Sequence, residues 1–405
     1  QEMAVVHAEA CMTAMSVTPP RVPDSQNAAL LYRRAAELMK SDTGWEELVG
    51  HRGKPDTGQF NPTDEKMLAF LTGHADWLEL VRRAGDLAGY DDDLQLNPPS
   101  NQTTRLPDVS SFIALGDCVQ LSAKANAHAG RLVEATKDVA ALFNMARLKT
   151  TEPLLYSGMA AMAVERRGFE AFQDVLDAGP VPPEALDGLR IDPQTAFQPA
   201  FHREVTMEEC FGIVMFSEIP AKNATVDDMR KTTRRNIFTF CQNPLYRVFL
   251  WQGDLESYRN VIDPQRQLAG KPYYETADAW KRLGKDQGPA RMGGMLAGLI
   301  TPVFAFLATD AAQADAQHRL ALLAIAACRY HNARGAWPET LAALVPSYLP
   351  AMPTDPFTGK PLLLARAPDG RPILYSIGRD MVDDGGKPFD RKTDKGDIRL
   401  VLPAK

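Results

Sequence analysis

The chain has 405 residues, 45% hydrophobic and 24% charged, which is enough for about two or three globular domains. Its formal net charge of -6 argues against a nucleic-acid partner, because phosphate binding needs a basic surface. The five cysteines form no CxxC pair, so we expect no disulfide framework. The chain begins at Gln1, which suggests a processed or trimmed chain, and any N-terminal signal or membrane tether would then have been removed.

Apolar residues recur at helical spacing through most of the chain before Asp310. The predicted helices are 27–40, 63–88, 108–149 (one long helix or a broken pair), 152–178, 206–216, 226–241, 244–262 and 275–283. The proline-bearing stretch 179–200 is predicted as a long ordered loop with one short helical turn, and it marks a sub-boundary of the helical domain. Since no repeat period is visible, the sequence predicts an irregular helical domain over residues 1–309.

The pattern changes at Asp310. A strong helix is predicted from Ala311 to His331, with Gly335 ending it. The helix is apolar nearly all round at Leu320–Cys328, so other elements should enclose it. Three short strands are then predicted, at Leu362–Ala365, Ile373–Ile377 and Ile398–Leu402. The turn residues Pro368-Asp369-Gly370 between the first two favour an antiparallel hairpin, and the last strand alternates as a half-buried strand should.

These elements define the predicted fold class. A sheet of three short strands is stable only when something covers its apolar face, and the 311–331 helix is the natural cover. We therefore predict a mainly α protein. Its large irregular helical domain is followed by a small α+β module, residues 310–405, in which a long helix packs on a three-stranded antiparallel sheet.

Several short motifs follow one another in this module. They are Gly335-Ala336-Trp337-Pro338, Pro353-Thr354-Asp355-Pro356-Phe357-Thr358-Gly359-Lys360-Pro361, Ser376-Ile377-Gly378-Arg379-Asp380 and Gly396-Asp397-Ile398. In this order they resemble the C-terminal domain of the major (G-type) pseudopilins of type II secretion systems. The whole chain also resembles envelope proteins of planctomycete-like bacteria. The resemblance implies an exported protein of the periplasm or cell envelope, with protein partners there.

The segment before the last strand is acidic and glycine-rich. The loop of the major pseudopilins that it resembles holds calcium, a cation that takes six to eight oxygen ligands. The resemblance implies a calcium site with these ligands: the carboxylates of Asp380 and Asp397, the carbonyl oxygens of Ile377 and Val382, and optionally Asp383 and Asp384. The alternative is a solvated turn whose charge is neutralised by Lys387, Arg391, Lys392 and Lys395.

Motifs of catalysis are missing from the sequence: there is no HExxH, GxSxG, phosphate-binding loop or Cys/His cluster. We therefore predict a non-catalytic envelope protein with an interaction module. One alternative is a hydrolase or other enzyme with a site assembled in the helical domain from Glu165, Glu170, Glu204, Glu208 and Glu209. A second is an apolar-ligand carrier that uses the run Met292–Ala308. His318 is predicted to be a packing or capping residue, and Asp355 to form a structural turn.

Overall fold

Helices dominate the computed structural model of the chain, which describes residues 2–41, 75–96, 104, 107–221, 246–286, 297, 304–390 and 392–404. The described residues form eleven α-helices and one three-stranded antiparallel sheet, which confirms the predicted mainly α class with a small α+β part. The predicted helix 226–241, the first part of helix 63–88 and most of the run Met292–Ala308 lie outside the described residues.

Ten of the helices precede the sheet-covering helix. They are α1 Glu2–Val17, α2 Ala28–Lys40, α3 Ala75–Gly85, α4 Val109–His128, α5 Leu132–Lys149, α6 Leu155–Ala178, α7 Pro183–Gly188, α8 Phe197–Ala221, α9 Trp251–Ala269 and α10 Tyr273–Asp286. Short 3-10 segments lie at Asp24–Gln26 and Leu341–Leu344, and a π-helical turn lies at Tyr246–Leu250. The predicted segment 108–149 is a broken pair, and α4, α5 and α6 pack against one another.

Two of the helices begin at an N-cap residue whose side chain accepts a hydrogen bond from the first turn. The Asp108 side chain accepts a hydrogen bond from the Ser111 N–H at 3.0 Å and so satisfies a free donor in the first turn of α4. Asn27 does the same for α2 through the Ala29 N–H. Both caps satisfy first-turn N–H groups that have no partner within their own helix.

The long helix α11 runs from Ala305 to Arg334 and ends at Gly335, whose φ of 71° lies in the left-handed region. Its residues are buried on nearly all sides between Ala311 and Cys328, as its apolar sequence predicts. The helix contacts α6, α8 and α10 on one side and the sheet on the other. It therefore belongs to the cores of both the bundle and the module.

The sheet has the order β1 Leu363–Arg366, β2 Pro372–Ser376 and β3 Ile398–Val401, close to the predicted strand bounds. Leu374 and Leu400 lie opposite each other and belong to the main core. Tyr375 and Val401 lie on the other face, in a small separate cluster with Ile373. Side chains therefore alternate between the two faces of the sheet, and one of these faces packs against α11, as expected for half-buried strands.

Candidate functional site

The acidic segment connects β2 to β3 as one compact loop, residues 377–397. Backbone conformations in the left-handed region recur in it, at Gly378, Met381, Gly385, Gly386, Asp394 and Gly396. Met381 has a φ of 63°, which is uncommon for a residue other than glycine and costs about 1–3 kcal/mol. Such conformations persist only where surrounding contacts hold them.

The two carboxylates implied as calcium ligands hold this loop closed. Asp380 accepts hydrogen bonds from the N–H groups of Val382 at 3.1 Å and Gly396 at 3.0 Å. Asp397 is buried and accepts from the N–H groups of Asp384 at 3.4 Å and Gly386 at 2.6 Å. The side chain of Asp380 thus reaches the residue next to Asp397, so the two ends of the loop meet.

The remaining implied ligands lie in the same loop. Asp383 accepts from the Gly385 N–H at 2.9 Å and from the Tyr375 hydroxyl at 3.2 Å. Burial raises the pKa of Asp397, its bonds from Gly386 and Asp384 lower it, and the neighbouring carboxylates of Asp383 and Asp384 raise it again. The carboxylates of Asp383 and Asp384 are therefore close enough to Asp397 to disfavour its charged form. Val382 is exposed, and the Ile377 N–H donates to Asp355.

The donor set is compatible with a hard cation, although side chains alone do not form a site. Among the described residues, no group of three or more His, Cys, Asp or Glu side chains converges as a metal centre. Carboxylate oxygens have two lone-pair directions each, so those of Asp380 and Asp397 keep acceptor capacity beside their N–H bonds. A calcium site here would need backbone carbonyl oxygens as well, as the resemblance implies.

The lysines that the alternative assigns to charge neutralisation are neighbours of these carboxylates in the chain, but the described residues show no ion pair between them. Within the described part of the chain, Lys387, Lys392 and Lys395 form no ion pair with a loop aspartate. Arg379 instead lies 2.8 Å from Asp310 of α11 and 3.7 Å from Asp394. Arg391 lies outside the described residues.

The contacts of Asp355 are those of a residue that holds a turn in place. Its carboxylate is buried and accepts hydrogen bonds from the Phe357 N–H, the Ser376 hydroxyl and the Ile377 N–H, at 2.9, 2.9 and 3.1 Å. The turn predicted at Asp355-Pro356 is therefore tied to the end of β2. This contact fixes the direction in which the chain enters the acidic loop.

A groove of about 830 Å³ lies beside the loop, between α6, α11 and the outer edge of β3. Its volume falls in the range of about 300–1,000 Å³ typical of ligand sites. Apolar side chains from α6 and α11 line one wall: Met159, Met162, Phe169, Phe306 and Leu307. Pro388, Phe389, Asp394 and Asp397 bring the acidic loop into the opposite wall. Sequence analysis missed this site, because its walls come from three distant segments.

The five glutamates of the enzyme alternative are dispersed over α6 and α8. Glu165 is buried against His318 at 2.9 Å, and Glu170 lines the groove and accepts from Gln120 at 3.0 Å. Glu204 is buried beside Gly158, where burial raises its pKa well above its ordinary value. Burial also raises the pKa of Glu208 and of Glu209 to about 7, and Arg266 moderates the rise at Glu209.

Replacement of Glu208 by glutamine is expected to stabilise the protein at about pH 8 by about 3 kcal/mol. Its carboxyl pKa is raised from about 4.3 in the unfolded chain to about 7 by burial, so wild-type stability falls as pH rises through this interval. At about pH 4 the carboxyl is protonated in the folded state, and the variant should match wild type. Urea unfolding at both pH values measures the difference, with the exposed Glu256→Gln as control. Equal effects at the two pH values would contradict the raised pKa.

Comparison with known proteins found no matching protein-family model, no matching curated protein and no matching solved structure. None of the described helices has the length and hydropathy needed to cross a bilayer. The resemblance to pseudopilins therefore rests on the module's motifs.

Proposed function

We propose that this protein is an exported, non-catalytic protein of the cell envelope whose C-terminal module binds calcium and contacts a protein partner. The observation that carries the proposal is the closure of the acidic loop, in which Asp380 accepts from the Gly396 N–H and Asp397 accepts from the Gly386 N–H. The pseudopilin-like order of motifs around that loop supports the envelope location and the interaction role.

Calcium has a physical task in this loop. The carboxylates of Asp383 and Asp384 raise the pKa of the Asp397 carboxyl, so a divalent cation would relieve repulsion among them. When bound, the ion would supply positive charge to Asp380 and Asp397, with Ile377 and Val382 contributing carbonyl oxygens and Asp383 or Asp384 completing the set. The loop also forms one wall of the groove, so a firmly held loop would give a partner a defined surface.

Calorimetric titration of calcium into chelator-treated protein tests the proposal. We expect saturable binding by wild type and its loss in Asp380→Ala and in Asp397→Ala. Asp390→Ala is the matched control, because it removes one exposed loop carboxylate whose bonds within the described residues are to the Lys392 N–H and the Thr393 hydroxyl. Circular dichroism of each variant establishes that it is folded. No binding at millimolar calcium, or equal loss in Asp390→Ala, would overturn the calcium site.

The two alternative functions have weaker support in the described residues. The candidate glutamates of a hydrolase are spread over two helices, and the groove carboxylates Asp310, Asp394 and Asp177 each lie near an arginine. The run assigned to an apolar-ligand carrier lies largely outside the described residues. The interaction role therefore remains our proposal.

A further inference from the structure

The outer edge of β3 is open at one residue. Leu402 donates its N–H to the Pro372 oxygen at 2.9 Å, so even-numbered residues of β3 bond to β2 in this antiparallel register. Arg399 lies opposite Tyr375 in a non-hydrogen-bonded pair, and its N–H and C=O therefore point away from β2. In the described part of the chain these two backbone groups form no hydrogen bond.

Both neighbouring edge positions are already satisfied. Asp397 donates its N–H to the Lys387 oxygen at 2.8 Å and accepts from the Phe389 N–H at 3.1 Å. Val401 donates its N–H to the Gln173 side chain at 2.8 Å, and that amide donates back to the Val401 oxygen at 3.1 Å. Gln173 thus imitates a paired strand at one end, and the acidic loop does so at the other. Of the three outward-facing residues at this edge, Arg399 is the one whose N–H and C=O have no partner among the described residues.

That open step faces the groove, since Arg399, Ile398 and Val401 line it together with Gln173. Across the groove lie apolar side chains that are not fully covered: Met159 is 42% and Phe306 is 62% exposed. Unpaired edge groups beside apolar side chains are the features with which proteins bind extended peptides by strand addition. The backbone bonds supply affinity, and the side-chain contacts supply specificity.

The charges of the groove favour one kind of occupant. Asp310 and Asp394 lie near Arg379, Asp177 lies near Arg371 at 3.5 Å, and Glu170 lies 3.8 Å from Arg166. Arg399 differs from these arginines. Its guanidinium donates to the Gly386 oxygen at 2.7 Å. The carboxylates of Asp177 and Asp397 are near enough to oppose the lowering of its pKa by burial, but Arg399 forms no ion pair within the described residues. A carboxylate on the occupant would complement that charge.

We propose that an extended segment of another polypeptide binds in this groove as a fourth strand beside β3. The inference rests on the proposed interaction role and names how the partner is recognised. One residue of the segment exchanges two backbone hydrogen bonds with Arg399. Its side chain lies on the sheet face of Arg399 and Tyr375 and is acidic. The two flanking side chains point to the opposite face, which packs on α11, and are apolar.

A synthetic peptide tests this pairing with the whole 405-residue chain, saturated with calcium. The probe is fluorescein-labelled Ser-Val-Glu-Val-Ser with neutral ends, and its binding is followed by fluorescence anisotropy. We expect saturable binding that weakens about tenfold when the glutamate nitrogen is methylated, because the peptide then loses one backbone donor. A peptide with glutamine in place of glutamate should also bind more weakly.

Two substitutions at Arg399 separate the charge from the backbone. Arg399→Ala removes the guanidinium and keeps the N–H, so it should abolish the preference for glutamate over glutamine. Arg399→Pro also removes the N–H and should weaken binding by about a further tenfold. Proline is tolerated at an edge position whose N–H points away from the sheet. Arg366→Pro is the matched control, because Arg366 occupies the equivalent outward position at the opposite edge, on β1.

Three results would overturn the proposal. They are no saturable binding to folded wild type, equal weakening in Arg366→Pro and Arg399→Pro, and concentration-dependent self-association lost in Arg399→Pro. The last would make the occupant a second copy of this chain. Calcium titration of the same samples keeps the two proposals apart. Calcium binding without peptide binding removes only the groove, whereas Arg399-dependent peptide binding in chelator supports the groove even if the calcium site fails.

Discussion

Replacement of His318 by alanine is expected to lower the free energy of unfolding by about 3–5 kcal/mol, because it leaves a buried carboxylate without its partner. The His318 side chain is 1% exposed, and its Nδ1 lies 2.9 Å from an oxygen of Glu165, whose side chain is 0% exposed. Its Nε2 lies 2.9 Å from the Asp192 carbonyl oxygen, and Phe143 packs against the ring edge to face.

The pair also gives the variant a pH signature. Burial alone would lower the pKa of His318, but the Glu165 carboxylate, its hydrogen bond and the Asp192 carbonyl raise it above its ordinary value. A raised pKa favours the protonated ring in the folded state. Its contribution is therefore full below the unfolded value of about 6.5 and is lost as pH rises through the higher folded value. Burial also raises the pKa of Glu165, and His318 opposes that rise in wild type. The part of the difference between wild type and His318→Ala that comes from the protonated ring should shrink over that interval.

Urea unfolding of both proteins between about pH 5 and pH 9 measures this effect. The exposed His128→Ala is the control and should change stability by less than about 1 kcal/mol. The double variant Glu165→Met with His318→Leu removes both polar groups, and we expect it to regain most of the loss. A single-variant loss below about 1 kcal/mol, or a double variant no more stable than the single, would show that the pair is not the source of the stability.

The second large effect is expected at Gly396, beside Asp397. Substitution by alanine should cost about 3 kcal/mol, because Gly396 has a φ of 101° and its Cβ would lie 2.5 Å from the Pro388 oxygen. Pro388 and Asp397 form a backbone bridge, so the collision falls on main-chain atoms that cannot rotate away. The acidic loop and the adjoining end of β3 would have to separate.

Gly385→Ala isolates the backbone part of this effect. Gly385 lies in the same loop with a φ of 70°, but no atom lies within 4 Å of its would-be Cβ. We expect a loss of about 1 kcal/mol from the left-handed conformation alone. Thermal unfolding and amide hydrogen exchange of β3 compare the two variants. If they lose equal stability, the contact between Gly396 and Pro388 has no energetic weight.

Local patterns predicted the elements of the module well. The turn at Pro368-Asp369-Gly370 and the alternation from Ile398 to Leu402 placed the strands within about one residue of their observed bounds, because both are short-range features. Gly335 likewise marked the end of α11 through its own backbone conformation. The calcium ligands stay a prediction. The structure shows that the two ends of the loop meet, where the Asp380 side chain accepts from the Gly396 N–H.

Other features depend on contacts between distant residues. Helix α8 begins at Phe197 rather than the predicted 206, because Asp315 of α11 accepts hydrogen bonds from the Phe197 and Gln198 N–H groups at 2.6 and 3.3 Å. This capping residue belongs to another helix, so the sequence around Phe197 does not predict where α8 begins. Helix α1 gave no signal either, since it buries only Val6, Ala10 and Ala14.

The candidate sites also combine features that local sequence patterns predict with features that depend on contacts between distant residues. His318 was predicted as a packing or capping residue, and its partner Glu165 lies on a different helix. The open step of β3 follows from strand register, but the groove beside it appears only when α6 and α11 are in place. Sequence spacing therefore predicts single ligands better than surfaces shared by several elements.

The position of α11 bears on how such a chain can be inherited. Its side chains at Ala311, Leu320 and Ala324 are buried in an interior that the bundle and the sheet share. A gene fragment that encoded only α11 and the sheet would expose to water the apolar side of α11 that the bundle covers, and the product would be prone to aggregation. Duplication or shuffling of the segment would succeed only with a replacement cover. The bundle and the sheet are therefore expected to change together over evolutionary time, with α11 as the element least free to vary.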